Sequence, residues 1–312
     1  MLNIFLSLLP SFMHTKFRKL MGAKIGKGVR LKVGTYINVP NKNLNIGDNV
    51  QIGPLVIIQC DNFKIGERSK IQSLVRISVN QIELGSYTTI NSFAMLFGKK
   101  VTVGDHSWIM YHCYIDSTKE VRIGNKVGIG GHSFIFTHGN WQDYLNGGPL
   151  SFGPVTLEDN AWIPWRAFIM PNVTIGQNAI LGANSLANKS IPPNKIAVGA
   201  PAKVIGDTPV VTSPVEKVER LKRIITDYIE EYPKAILSIG IDTLENLNQE
   251  NDLLFLINYT YEDYKENCKN ISMISVIDHP NSTIYIADNN RSVLSFVDFL
   301  TNYGIRLYKI YL

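Results

Sequence analysis

The stretch Ile46-Gly47-Asp48-Asn49-Val50-Gln51-Ile52-Gly53-Pro54-Leu55-Val56-Ile57-Ile58 returns 19 residues on as Ile65-Gly66-Glu67-Arg68-Ser69-Lys70-Ile71-Gln72-Ser73-Leu74-Val75-Arg76-Ile77. An aliphatic residue followed by glycine marks each period: Ile46-Gly47, Ile65-Gly66, Leu84-Gly85, Val103-Gly104, Ile123-Gly124 and, later, Ile175-Gly176. The first four of these glycines are 19 residues apart and the fifth is 20 on. Inside a period an aliphatic residue returns about every six positions, as at Leu84, Ile90 and Leu96. A small or β-branched residue tends to follow four later, as at Thr88 and Ala94. Self-similarity at a fixed period of this length marks a repeat architecture.

Each hexad supplies one short strand and one corner. The aliphatic residue points inward and stacks on its equivalents in the adjoining coils, and Gly or Asn at the corner tolerates positive φ. Backbone groups pair with neighbouring coils about 4.8 Å away, so the stack satisfies its own polar groups. One coil cannot bury its apolar side alone, but roughly eight or nine stacked coils can. The expected fold is therefore mainly β, a parallel β-helix solenoid over residues 24–206.

The flanks read differently. Residues 1–23 are expected to form a short helical cap, with Phe12, Phe17, Leu20 and Met21 on one side and Lys16, Arg18 and Lys19 on the other. Such a helix would cover the open end of the solenoid. Peripheral contact with a membrane is the second reading, because residues 1–47 hold eight Lys or Arg and no acid. Residues 207–214 read as a linker and 215–312 as a small C-terminal α/β domain. There the pattern predicts helices at Val215–Tyr232 and Ser292–Asn302. Strands are expected at Leu253–Asn258, Ser272–Ile277, Thr283–Ala287 and Ile305–Tyr311. Net charge runs +8, +3 and −6 over residues 1–47, 48–206 and 207–312. This domain carries no chemical motif, and selection of the acceptor and assembly are both open for it.

Composition excludes several classes. With 45% hydrophobic and 18% charged residues, bulk disorder is excluded. The three cysteines form no CxxC, which excludes a disulfide framework and a cysteine zinc site. No nucleic-acid motif is present. The longest apolar run, Ile4 to Pro10, is too short to span a bilayer. The expectation is a cytoplasmic protein.

The period breaks once. From Gly124 to the next equivalent position, Glu158, is 34 residues, and the surplus lies between Thr137 and Pro154. A regular solenoid that extrudes a loop usually does so for function. The coils resume at Val155 and close through Ser190-Ile191-Pro192-Pro193-Asn194 and Val198-Gly199-Ala200-Pro201-Ala202-Lys203. The hexads and these closing strings resemble the hexapeptide-repeat (isoleucine-patch) acyltransferases, notably the sugar and polysaccharide O-acetyltransferases. The resemblance covers roughly residues 24–206. It implies a left-handed coil, acetyl-CoA as cosubstrate, a sugar or glycan acceptor, and a homotrimer with each active site between subunits.

His138 stands where the loop leaves the coil, in Phe136-Thr137-His138-Gly139. Attack of an alcohol on a thioester needs a base that works near neutrality, which imidazole provides. The resemblance implies that His138 is the general base. It also implies that Trp162 walls the acyl channel, that the Ala183 backbone holds pantetheine, and that Asn188 and Lys189 lie beside the nucleotide end. Lys203 matches the residue that contacts the CoA phosphates. The chain departs from the family at Glu158, at Gly206 and at Pro164-Trp165-Arg166. Trp165 is expected to narrow the acyl channel or to stack on the ligand. Hexads starting at Ile109, Ile129 and Ile163 each place a polar residue fourth: His112, His132 and Arg166. Earlier coils hold Leu55, Leu74 and Phe93 there. This column is expected beside His138, binding an anionic group of CoA or of an acidic sugar. Asp116 and Trp141 complete the expected acceptor-binding set.

The function these residues support is an acetyl-CoA-dependent O-acetyltransferase acting on a sugar hydroxyl of a surface polysaccharide or its precursor. Transfer is expected to be direct, because Cys60 and Cys113 occupy small-residue coil positions. No metal is expected, since no His, Asp or Glu cluster has ligand spacing. His106, His112, His132 and His138 keep a carbonic-anhydrase-like β-helix open, which metal analysis would test. N-acetylation of a nucleotide-linked amino sugar is the enzymatic alternative. A non-catalytic β-helical scaffold or binding protein is the alternative of another class.

Overall fold

A computed structural model describes residues 2–139, 142–233, 238–242, 252–256, 262, 275–286 and 291–311. The chain forms two compact units, Met1–Thr208 and Pro209–Leu312.

The first unit is a parallel β-helix with three flat sides. On one side Ile52, Ile71, Ile90, Ile109, Ile129 and Ile163 stack in register from coil to coil. On the next, Ile58, Ile77, Leu96, Ile115, Ile135 and Ile169 do the same. All of these side chains are buried. Each contributes about 1.5–3 kcal/mol of apolar burial, and the column repeats that gain coil after coil. Ile129 pairs directly with Ile163 across the break in the period, so the surplus residues lie outside the coil.

The corners are less permissive in composition than the sequence suggests. Glycine and asparagine occupy some, but Leu55, Leu74, Phe93, His112, His132 and Arg166 also sit at φ of 56–64°. A left-handed turn costs an L-residue roughly 1–2 kcal/mol. Each corner amide is repaid by a hydrogen bond to the coil before it, as from His132 N to Tyr111 O (2.9 Å) and Arg166 N to Gly131 O (3.0 Å).

The N-terminal cap is two helices, Leu2–Leu8 and Ser11–Leu20, and the second is turned the other way from the expectation. His14 and Arg18 are its buried residues, while Phe12 and Leu20 are 71% and 75% exposed. The first coil has no coil beneath it, so its backbone groups need other partners. The Ser11 hydroxyl accepts from Leu31 N (2.9 Å), Ser7 O accepts from Gly34 N (2.7 Å), and Arg18 donates to Ile37 O (2.6 Å). The guanidinium of Arg18 also reaches Asn3 and Asn41. Polar capping of a sheet edge thus decides the helix orientation, and only Leu6 enters the apolar end.

In the second unit the described strands are Ser238–Ile241, Asp252–Leu256, Ser275–Asp278, Thr283–Ile286 and Tyr308–Tyr311, paired in that order. Only the central hairpin is antiparallel. The first of these strands was not expected from sequence. Helices Pro214–Glu231 and Arg291–Leu300 pack Leu221, Ile224, Tyr228, Val293 and Phe296 into one core with the sheet.

Candidate active site

His138 sits at the base of the extruded loop, on a two-residue strand that pairs antiparallel with Ser151–Phe152. Gly153 N donates to Thr137 O (3.0 Å), so the hairpin closes the loop where it leaves and rejoins the coil. The side chain is 42% exposed. Its Nδ1 lies 2.7 Å from Oδ2 of Asp116.

Asp116 is one coil earlier, on the strand Tyr114–Ser117, which pairs with Phe134–Ile135. Alternation along that strand points Ile115 inward and Asp116 outward. Asp116 is nonetheless only 5% exposed, because Thr137 and His138 fold over it as the loop departs. Thr118 donates to Oδ1 from its amide (3.1 Å) and hydroxyl (2.8 Å). Thr137 donates its amide to Oδ2 (3.1 Å), and its hydroxyl lies 3.0 Å from the same oxygen. Burial alone would raise the Asp116 pKa. The hydrogen bonds from His138, Thr118 and Thr137 outweigh it and hold the carboxyl below the usual range. An ionised Asp116 fixes the Nδ1–H tautomer of His138, which leaves Nε2 as the nitrogen free to take a proton. The ring of Phe152 stacks 6.1 Å from the imidazole, and Lys119 lies over Phe152. Asp116 was grouped with the acceptor-binding residues by sequence, yet its carboxylate is spent on His138 and two threonines. Phe152, Thr118 and Thr137 were not singled out.

The polar corner column forms as the register predicts. Phe93 stacks on His112 at 4.7 Å and His112 on His132 at 4.8 Å, the spacing of adjacent coils. Arg166 continues it one coil further. The column is not beside His138 within the chain. His132 begins the third flat side and His138 ends it, six residues or roughly 20 Å of extended strand away.

Trp165, 47% exposed, lies across Gly131 and faces His132 (6.0 Å) and Tyr111 (6.4 Å). A Cβ on Gly131 would stand 2.5 Å from this ring. Trp162 is 54% exposed on the strand next to it. Asn184 N donates to Trp165 O, which places Ala183 one coil beyond the tryptophan at the same corner. Asn188 and Lys189 are exposed at the far end of that coil's third side, and Lys203 is exposed on the closing strand Lys203–Asp207. The expected CoA contacts therefore divide between two corners. Trp141 lies outside the described residues. Cys60 and Cys113 are buried, and burial pushes their thiols up to about 12 and about 11, so neither is a nucleophile near neutrality.

No family model matches the chain. Over 60 residues it is 48% identical to the galactoside O-acetyltransferase of Escherichia coli, covering 19% of this chain and 29% of that protein. The solenoid is thereby a relative of the hexapeptide-repeat acetyltransferases. The left hand expected of its coil comes with this relationship. A second hexapeptide-repeat match, the bifunctional protein GlmU of Rubrobacter xylanophilus, is 55% identical over 53 residues, 17% of this chain and 11% of that one. The chain spans less than half the length of these curated relatives. Among solved structures, AntD, an N-acyltransferase from Bacillus cereus in complex with dTDP and 3-hydroxybutyryl-CoA, aligns at 18% identity and a TM-score of 0.36. That alignment covers 71% of this chain and all of AntD. A maltose O-acetyltransferase from Clostridium difficile aligns at 20% identity and a TM-score of 0.30, covering 63% and 75%.

Proposed function

We propose that this chain transfers an acetyl group from acetyl-CoA to a sugar hydroxyl of a surface polysaccharide or its precursor. The observation that carries this reading is the Asp116–His138 pair, 2.7 Å apart, at the one place where the hexapeptide-repeat solenoid extrudes a loop. The thioester of acetyl-CoA supplies an activated acyl group. His138 Nε2 takes the proton of the acceptor hydroxyl as its oxygen attacks the carbonyl carbon, and returns that proton to the departing CoA sulfur. The imidazolium formed in between is stabilised by the ionised Asp116. Donor and acceptor exchange one acetyl group for one proton, and no acyl-enzyme is required.

Trp162, Trp165 and Ala183 offer the pantetheine arm an apolar wall and backbone, while Lys189 and Lys203 are exposed cations for its phosphates. His112, His132, Arg166 and Trp141 are assigned to an anionic group of the ligand or acceptor. Because the cationic column is a full side away from His138, the two can serve one ligand only across a subunit boundary. A homotrimer supplies that boundary. The flat side between them is aromatic: Phe97, Tyr114, Phe134 and Phe168 form a ladder on its surface, with Phe134 stacked 4.9 Å from Phe168.

The test is a panel of glycosides and nucleotide sugars with labelled acetyl-CoA, followed by mild alkali. Label that enters a hydroxyl sugar and leaves in alkali as acetate supports the proposal. A base-stable product formed only with amino sugars moves the assignment to N-acetylation. No acceptor-dependent transfer at all would favour a binding or scaffold role.

A further inference from the structure

We propose that the two N-terminal helices form a docking surface for an anionic lipid bilayer. An amphipathic helix on a solenoid end ordinarily turns its apolar face inward. Here the inward positions are held by Ser7, Ser11, His14 and Arg18, which satisfy the backbone of the first coil. The apolar residues are left outside: Ile4, Phe5, Leu8, Phe12 and Leu20 are 56–75% exposed. Large aliphatic and aromatic side chains clustered at such exposure on two consecutive helices form an apolar patch of the kind that marks an interaction surface.

The charge around the patch selects the occupant. Lys16, Lys19, Lys24, Lys27 and Arg30 are exposed on the second helix and the first coil. No acid occurs among residues 1–47. Apolar residues interleaved with lysine and free of acids are the composition of a helix that lies in the headgroup region of an anionic leaflet. The same composition argues against a second copy of this surface as the occupant, since two copies would set cation against cation. The helices have 7 and 10 residues, so the contact is with the surface of a bilayer and not across it. This inference does not depend on the acetyl-transfer reading.

The experiment is co-sedimentation of the full chain with phosphatidylcholine vesicles, with and without about 30% phosphatidylglycerol, at low and high salt. Light scattering is run alongside. Each cation near an anionic surface is worth about fivefold in partition. The expected result is at least tenfold preference for the anionic vesicles, lost at high salt. Phe12→Ser with Leu20→Ser, and separately Lys16→Glu with Lys19→Glu, should each lower binding about tenfold or more. Both pairs are exposed, so the melting temperature should stay unchanged. Phe12→Leu with Leu20→Phe should keep binding. Equal partition into both vesicle types, or wild-type binding by the Phe12→Ser and Leu20→Ser variant, would overturn the proposal. So would an oligomer that this variant dissociates.

Discussion

Replacing Asp116 by asparagine separates the role of this residue from mere packing. The carboxylate receives hydrogens from the Thr118 amide and hydroxyl on one oxygen, and from the Thr137 amide and His138 Nδ1 on the other. An amide in that place must aim its NH2 at donors on one side or the other. If the NH2 faces His138, Nδ1 becomes an acceptor and the imidazole proton moves to Nε2, where the acceptor's proton has to go. If it faces Thr118 instead, two donors lose their partner. Hydrogen bonds to a charged group are worth about 1.5–3 kcal/mol each, so Asp116→Asn should lose about 2–3 kcal/mol of stability near neutral pH. The folded Asp116 pKa is depressed, so its stabilising contribution is present above the ordinary carboxylate range and disappears as pH falls through the folded value. The stability gap between wild type and variant should therefore close in acid. The catalytic loss should be about 10²–10⁴ in kcat, as for a base held in the wrong tautomer. The KM for acetyl-CoA should move little, because the residues assigned to CoA lie elsewhere. The assay is acceptor-dependent thiol release, with denaturant melts across pH. A folded Asp116→Asn protein with kcat within about threefold of wild type would refute the tautomer argument.

Gly131→Ala should cost about 1–3 kcal/mol and alter tryptophan fluorescence, because its Cβ would lie 2.5 Å from the Trp165 ring. Unchanged emission and stability would mean that the ring does not rest there. His14 is 1% exposed, and burial first, then Arg18, lowers its pKa to about 4. It stays neutral in the fold while the unfolded chain protonates near 6.5, so stability should be full above that pH and fall by up to about 3 kcal/mol down to pH 4. A His14→Gln variant with the same acid slope as wild type would contradict this. The two units have separate cores, so a chain ending at Thr208 should keep its β-sheet circular dichroism and CoA affinity, checked by calorimetry. Loss of CoA binding in a folded truncation would show that the units are not independent.

The solenoid was legible because the inward aliphatic position is set by elementary geometry. Ile52 to Ile163 and Ile58 to Ile169 fall in register wherever the period places them. The corner column of Phe93, His112, His132 and Arg166 was legible by the same count. What could not be read was which polar group meets which. Asp116 is 22 residues before His138, and the pairing of Tyr114 with Phe134 would have placed it beneath Thr137 had the coil offset been applied to it. The orientation of the second N-terminal helix escaped for another reason. Amphipathicity predicts that the apolar face turns inward, whereas the unpaired backbone of Leu31, Gly34 and Ile37 calls for polar partners. Trp165 looked like an obstruction to the ligand, yet Gly131 supplies the space into which its ring folds.

The central claim is that His138, oriented by Asp116, is the base of an acetyl transfer. Steady-state kinetics of His138→Ala against wild type, on an acceptor found with the glycoside panel, tests it most directly. The account predicts a kcat lower by about 10²–10⁴ with little change in CoA affinity. A His138→Ala enzyme within about threefold of wild type would contradict it.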